Sequence, residues 1–190
     1  RVLENFYDKK AKIIYKEIIT TLKESFEKLK NNKMFKKSFV FLGYNIWPLI
    51  ENQFQRYFDM RLSSHARTHA MISRMLEIEN PKVVVSPEEV SDTARIVFFC
   101  CIKNGIKCVA IQHGIFDNNI LCYHNKNEAS LNKTSPRFCP IPQKTCVYGE
   151  YYKGILVKNG LYPASSVAVT GSPRFDRIFN QKFSKKSFYD

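Results

Sequence analysis

The sequence lacks the apolar segments that membrane proteins and secreted precursors carry. It has no run of about 18 apolar residues, so it supports no transmembrane helix. No charged, apolar and small-residue pattern typical of a secretory signal opens the chain. The first residue is Arg1 rather than Met, so we treat the chain as a fragment or a processed product. With 44% apolar and 25% charged residues, the composition is typical of a globular protein.

Metal-binding and disulfide patterns are also missing. The six cysteines include no CxxC pair. This favours reduced, buried thiols in a cytosolic protein over a disulfide framework or a zinc site. His65 and His69 have the i, i+4 spacing that can share a metal, but they lack the intervening Glu of the zincin motif and an evident third ligand. We therefore expect no metal and no cofactor.

Acidic residues are scarce relative to basic ones. The 17 Asp and Glu residues face 30 Lys and Arg residues, and the formal net charge is +13. Such an excess indicates an anionic partner, whether a polyanionic polymer, a nucleotide, a membrane surface or a nucleic acid. The basic residues are concentrated in the first 37 residues and after residue 176, and for the N-terminal group solvated helix faces are an equally good explanation.

The first half of the chain shows helical periodicity around one short apolar run. Residues 9–30 have the pattern of an amphipathic helix, most simply one that packs its apolar stripe on the domain. Residues 38–42 predict a buried strand. Pro48 then suits the first position of a helix that extends to Glu79, with a break expected near Ser63 and Ser64.

The second half alternates between strands and helices. Residues 82–86 predict a buried strand, Ser91 a helix N-cap, and Gly105 the residue after the helix C-cap. Residues 107–111 predict the next strand, which completes a βαβ unit with parallel strands. No GxGxxG sequence lies in its first loop, so the dinucleotide-binding fingerprint is absent.

The alternation resumes after a long polar segment. Residues 117–143 are rich in Asn, Ser, Lys and Pro and include one short candidate strand at 120–123. Strands are predicted at 144–148 and 167–170, and a helix at 151–158 lies between them. We expect the basic tail after Ile178 to form a terminal helix or a truncated continuation of the fold.

Polar residues follow each predicted strand of this second half. In a parallel sheet the carboxyl ends of the strands share one edge, where ligands of open α/β folds bind. The residues in question fall into four groups: Glu88 and Glu89, Gln112 and His113, Gly149 and Glu150, and Gly171 with Ser172 and Arg174. The sequence therefore predicts one crevice lined by these groups.

Several of these runs resemble a known group of enzymes. The runs are 83–85 with Ser91 and Arg95, 111–114 (IQHG), 147–150 (VYGE) and 169–176 (VTGSPRFD). Together they are similar to the surface-polysaccharide transferases of the GT-B fold. The nearest types are the CDP-glycerol glycerophosphotransferases of teichoic-acid synthesis and the capsule Kdo transferases.

The resemblance implies a fold and a domain plan. It implies an α/β protein, a Rossmann-like three-layer sandwich with a mainly parallel sheet, which forms the N-terminal half of a GT-B fold. Residues 1–37 would be a basic helical segment packed on the domain, residues 38–176 the acceptor-side domain, and residues 177–190 the start of the crossover to a missing donor-binding domain. Without that second half we expect no independent catalysis.

The resemblance also implies roles for individual residues and partners. His113 would be the general base on an acceptor hydroxyl, or would stabilise the donor phosphate. The substrate-binding residues would be Gln112, Gly114, Glu89, Gly149, Gly171, Ser172 and Arg174. The donor would be nucleotide-activated and held by the missing domain, and the acceptor would be a lipid-linked or polyanionic glycan. Such a protein would be cytoplasmic, with peripheral contact to the inner face of the plasma membrane.

Two other functions remain open at this point. One is a nucleotide-sugar enzyme similar to the UDP-N-acetylglucosamine epimerases, which needs carboxylates poised for proton transfer. The other is a basic nucleic-acid-binding module, which would explain the charge. We do not expect nucleic acid as the partner, because the Lys-rich segments lack interleaved aromatic residues and a recognition motif.

Overall fold

The computed structural model describes residues 2–117 and 139–180 of the chain. They belong to two compact units that meet at Pro81 and Lys82. The predicted strand at 120–123 and Cys122 lie outside the described residues, as does the tail beyond Asn180. The sequence places its first boundary after Lys37, whereas the structure places the residues up to Pro81 in one unit.

The first unit is built from helices, and its longest helix begins and ends where the sequence predicts. Helix α1 (Lys9–Lys30) is capped by Asp8, whose side chain accepts a hydrogen bond from the Ala11 amide at 2.9 Å. Satisfying an otherwise unpaired N–H in this way favours helix initiation. Helix α1 packs against α4 (Ser63–Glu79), and the Phe26 and Phe58 rings stack with their centroids 4.2 Å apart. The predicted helix over residues 9–30 is confirmed.

The predicted buried strand over residues 38–42 is wrong. After the short helix α2 (Lys33–Lys37), strand β1 covers only Val40–Phe41 and pairs antiparallel with β2 (Tyr44–Asn45). All four strand residues are exposed. Leu42 and Gly43 have φ angles of 48° and 83°, and two successive positive φ angles produce the tight turn that reverses the chain. A turn at this position leaves no room for a longer strand.

The helix predicted from Pro48 onward is present, with an irregularity earlier than expected. Helix α3 (Trp47–Tyr57) is followed by a single π-helical stretch at Phe58–Leu62 and then by α4. The expected break near Ser63 and Ser64 is therefore a widened turn that ends just before them. Such π-helical turns interrupt the backbone ladder without ending the helical course of the chain.

The second unit contains a four-stranded parallel sheet. Its strands are β3 (Val83–Ser86), β4 (Lys107–Ile111), β5 (Lys144–Val147) and β6 (Val167–Val169), in the order β3-β4-β5-β6. Helix α5 (Asp92–Lys103) connects β3 to β4, and its start is capped by Ser91, which accepts from the Ala94 amide. The predicted βαβ unit is thus confirmed, and so is the α/β class.

The remaining elements follow the sequence closely. Helix α6 (Glu150–Lys158) lies between β5 and β6, and helix α7 (Pro173–Asn180) follows β6. Gly105 has a φ angle of 69° after α5, as expected of a residue that ends a helix. Among the described cysteines, Cys100, Cys101 and Cys108 are buried, while Cys139 and Cys146 are half-buried.

The two faces of the sheet differ in how they are covered. Cys108, Ala110, Thr145 and Val147 share the buried face. Helix α5 packs against β4, where Cys101 and Cys108 are both fully buried, and α6 packs on the same face through a core with Val147, Ile155, Leu156 and Val167. The other face presents apolar side chains of which none is buried: Val83, Val85, Val109, Ile111, Cys146 and Ala168.

Candidate functional site

The carboxyl ends of β4, β5 and β6 are joined by hydrogen bonds that continue beyond the strands. The Gln112 amide donates to the Cys146 carbonyl at 2.9 Å, and the Thr170 amide donates to the Val147 carbonyl at 3.0 Å. The Tyr148 amide donates to Oε1 of Gln112 at 2.8 Å. These three contacts bring the segments that begin at Gln112, Tyr148 and Thr170 to one edge of the sheet, as the sequence predicts.

Gln112 holds this edge together. Its side chain is 6% exposed. Its Oε1 accepts from Tyr148, and its Nε2 donates to the Gly114 carbonyl at 2.8 Å. A buried amide with both ends paired stabilises the two adjoining loops, since leaving either backbone partner unpaired would cost free energy. In this structure Gln112 therefore acts through the loops that it joins.

His113 is presented differently from its neighbour. Side chains along a strand alternate between faces, and on β4 Cys108 and Ala110 are buried whereas Val109 and Ile111 are not. The alternation continues past the strand end, so Gln112 is buried and His113 is exposed. Half-buried Gly114 follows it. His113 is thus an accessible imidazole on a segment whose backbone is fixed by Gln112.

Only Tyr148 and Gly149 separate the end of β5 from helix α6, which begins at the same edge of the sheet. Gly149 is the N-cap residue of α6 and provides no side-chain cap, so the first amide groups of the helix lack an acceptor from that residue. A Cβ atom added at Gly149 would meet nothing within 4 Å, so the space above the helix start is open. Glu150 stands exposed in the first turn and is the acidic residue expected at a helix start.

The segment after β6 completes the edge. Gly171 has a φ angle of 74°, a conformation that side-chain-bearing residues rarely adopt, and it turns the chain into α7. Ser172 is buried, and its carbonyl accepts from the Phe175 amide at 2.9 Å. Arg174 is exposed in the first turn of α7. The Phe175 ring contacts that of Tyr148 edge-on, with centroids 6.2 Å apart, which fixes α7 against the β5 end.

The carboxylates after β3 are placed away from the exposed part of this edge. Glu88 accepts a hydrogen bond from the Ser91 hydroxyl, which closes the loop before α5. Glu89 is 3% exposed, and its Oε2 accepts from the Thr145 hydroxyl at 2.8 Å. Glu89 is therefore not presented to a ligand in this structure.

The surroundings of Glu89 were not predicted from the sequence. Burial raises the pKa of its carboxyl to about 7, although the Thr145 hydrogen bond and the Arg95 charge oppose the shift. Arg95 donates to the Pro140 carbonyl at 2.8 Å, and burial together with the charge of Glu89 raises the pKa of the Tyr162 hydroxyl. One signal was available in the sequence: Thr145 occupies an inward position of a strand, where a polar side chain needs a partner.

Among the described residues, no group of three or more His, Cys, Asp or Glu side chains is arranged to hold a metal ion. None of the described helices combines the length and the apolar character that a membrane crossing requires.

The chain has a weak sequence similarity to a curated archaeal protein. The chain is 23% identical to the uncharacterized protein MJ1060 of Methanocaldococcus jannaschii over 193 aligned residues, which cover 98% of this chain. It spans only 33% of the length of that relative. No family model matches the chain, and no solved structure matches it.

Proposed function

We propose that the chain is the acceptor-binding domain of a nucleotide-sugar- or CDP-glycerol-dependent transferase that builds a cell-surface polysaccharide. One observation carries the proposal: exposed His113, the start of α6 at Gly149 and exposed Arg174 each follow the carboxyl end of a strand, and these three strands are neighbours in one parallel sheet. Hydrogen bonds join the residues just before them. Ligands of open α/β sheets bind at this edge.

The chemistry of these groups suits a phosphate-containing or hydroxyl-rich substrate. An accessible imidazole can take the proton of an acceptor hydroxyl as its oxygen attacks the activated donor, and the nucleotide leaves with the bonding electrons. A helix start whose N-cap residue supplies no side-chain acceptor can bind anionic oxygens, and guanidinium matches phosphate geometry. Gly171 and Gly149 allow the backbone to come close to such a substrate.

The remaining parts of the proposal concern architecture and location. The second face of the sheet, on which none of the described apolar side chains is fully buried, is consistent with a third layer, because parallel sheets are usually covered on both faces. In the matched relative, the corresponding region accounts for one third of the chain, which leaves room there for a donor-binding domain. We place the enzyme in the cytoplasm, at the inner face of the membrane where lipid-linked acceptors reside.

Binding of defined probes by the 190-residue chain tests the proposal. Isothermal titration calorimetry would use a short poly(glycerol phosphate) as the acceptor probe and CDP-glycerol, CMP-Kdo and UDP-N-acetylglucosamine as donor probes. We expect the acceptor probe to bind, and His113→Ala and Arg174→Ala each to weaken it at least about tenfold, the loss of one strong polar contact. The control is Lys103→Ala, a change of an exposed residue in the last turn of α5. Its affinity for the acceptor probe should stay within about twofold of that of the wild type.

The other outcomes distinguish the alternatives. If generic DNA binds as tightly as the acceptor probe, with a steep loss of affinity in salt and no effect of His113→Ala, the chain is a nucleic-acid-binding module. If UDP-N-acetylglucosamine alone binds this chain and His113→Ala abolishes that binding, an epimerase-like function is favoured. If no probe binds, the transferase proposal is refuted.

A further inference from the structure

The hairpin of the first unit exposes a concentrated set of large apolar side chains. Within the hairpin, Val40 is 56% exposed, Phe41 62%, Leu42 81% and Tyr44 77%, and nearby Met34 and Leu49 are 78% and 80% exposed. Scattered apolar residues on a surface need no explanation, whereas a contiguous set marks an interaction site. We call these six residues the hairpin patch.

The tip of the hairpin is costly to the free protein. Leu42 adopts a left-handed backbone conformation, with a φ angle of 48°. For a leucine this conformation costs about 1–2 kcal/mol, and Asn or Gly is the usual residue at this turn position. A leucine at this position therefore does not stabilise the folded protein, and its exposed apolar side chain is also unfavourable in water.

The base of the hairpin is rigid. The rings of Phe35, Phe39, Trp47 and Phe54 form one cluster, with centroid separations of 4.9 Å to 6.0 Å. Trp47 is buried, and its amide donates to Oδ1 of Asn45 at 2.8 Å. The hairpin tip therefore extends from a packed cluster of rings, so little conformational entropy of the hairpin is lost when a partner covers the tip.

Positive charge predominates in the sequence around the hairpin patch, although Glu27 pairs with Lys30 at 3.0 Å and Glu51 follows the segment. Residues 28–50 contain five lysines and no Asp or Glu. These are Lys28 and Lys30 in the last turn of α1 and Lys33, Lys36 and Lys37 in α2. An apolar, aromatic tip beside a cluster of lysines is complementary to a surface that is apolar inside and anionic outside.

We propose that the hairpin patch, together with the lysines beside it, docks this protein onto an anionic lipid membrane. Phe41 and Leu42 would enter the interfacial region between headgroups and acyl chains, and the lysines would contact the headgroup phosphates. Membrane docking by this hairpin goes beyond the membrane location in the proposed function, because it names a surface of the first unit, whereas the proposed site lies in the second unit. The alternative is a protein partner, which would pair acidic side chains with the lysines and cover the edges of the two short strands. The experiment below distinguishes this alternative from membrane docking.

Vesicle binding with matched variants tests the proposal. The 190-residue chain would be sedimented with vesicles of phosphatidylcholine alone and of equimolar phosphatidylcholine and phosphatidylglycerol. The main variant is Leu42→Asn, because asparagine tolerates the left-handed conformation and the hairpin should keep or gain stability. Its control is Leu161→Asn, the same change at another exposed leucine with a positive φ angle of 56°, in the second unit.

Two further variants examine depth and charge. Leu42→Trp places a fluorophore at the tip, and its emission should shift to shorter wavelength when it enters an apolar environment. The double change Lys33→Gln and Lys37→Gln should weaken binding to anionic vesicles by about fivefold per lysine. Lys16→Gln with Lys23→Gln removes two exposed lysines of α1 and serves as the charge control.

Support requires wild-type binding to anionic vesicles, at least about tenfold weaker binding by Leu42→Asn with an unchanged or higher melting temperature, and no effect of Leu161→Asn. Equal binding of wild type and Leu42→Asn would overturn the proposal. It would also be overturned if binding ignored phosphatidylglycerol, or if the protein formed a dimer that Leu42→Asn dissociates while no vesicle is bound. None of these results would alter the probe-binding test of the second unit.

Discussion

Replacing Glu89 with glutamine should stabilise this protein at alkaline pH and have almost no effect in mild acid. Glu89 is buried and accepts a hydrogen bond from Thr145. Glutamine has nearly the same shape, and its amide oxygen can accept the same hydrogen bond. The substitution therefore removes mainly the ability of this side chain to carry a charge.

The sign and size of the effect follow from the pKa of the Glu89 carboxyl. Burial raises this pKa from an ordinary value of 4.5 to about 7 in the folded protein. Below the lower value the carboxyl is protonated in both states and does not affect stability. As the pH rises further, the unfolded chain ionises first, so the folded state loses stability until the pH exceeds the higher value. Each pKa unit corresponds to about 1.4 kcal/mol, so the total loss is about 3 kcal/mol.

Urea unfolding at several pH values measures this directly. The difference in free energy of unfolding between Glu89→Gln and wild type should grow by about 2–3 kcal/mol from about pH 5 to about pH 8. Glu150→Gln makes the same chemical change on an exposed side chain, and its curve should run parallel to that of wild type. A constant difference between Glu89→Gln and wild type over this range would refute the reasoning, and so would a lower stability of the variant at alkaline pH.

Two further predictions concern the edge of the sheet. Gln112→Leu removes both side-chain hydrogen bonds to Gly114 and Tyr148. It should lower the free energy of unfolding in urea by about 1–3 kcal/mol, because buried backbone groups lose their partners. An unchanged urea midpoint would contradict the role of Gln112 in joining these loops. Gly171→Ala forces a Cβ into a left-handed conformation and should lower stability by about 1–2 kcal/mol, whereas Gly114→Ala, with an ordinary backbone and open space around it, should change the melting temperature little; equal effects of the two would contradict the assigned turn.

Local signals predicted most of the second unit. The β-branched run before Ser86, the N-cap at Ser91 and the glycine at 105 each specify one event in the chain, and the structure has all three. The prediction of a buried strand over residues 38–42 was wrong because an apolar run of this length is ambiguous. It fits a buried strand as well as an exposed hairpin. Leu42 gave no turn signal, since a leucine in a left-handed conformation contradicts the usual turn chemistry.

Strand ends in the sequence also predicted which segments meet at the candidate site, but not which side chains are accessible. Parallel strands place their carboxyl ends on one edge, and the observed order β4-β5-β6 brings Gln112, Tyr148 and Thr170 near one another. Burial at that edge depends on how each loop folds back. Glu89 illustrates this, because nothing in the sequence of its loop distinguishes a carboxylate that faces a ligand from one that turns inward to Thr145.

Gln112 and His113 differ in burial and therefore have different roles at the candidate site. The two residues are adjacent, and strand alternation sends one side chain inward and the other outward. The inward amide fixes the loop backbone through Gly114 and Tyr148, and this same backbone carries the exposed imidazole. A catalytic or binding group needs such support, because small displacements from the productive geometry lose much of its effect. Loss of Gln112 should therefore impair both stability and ligand binding, whereas loss of His113 should impair ligand binding alone.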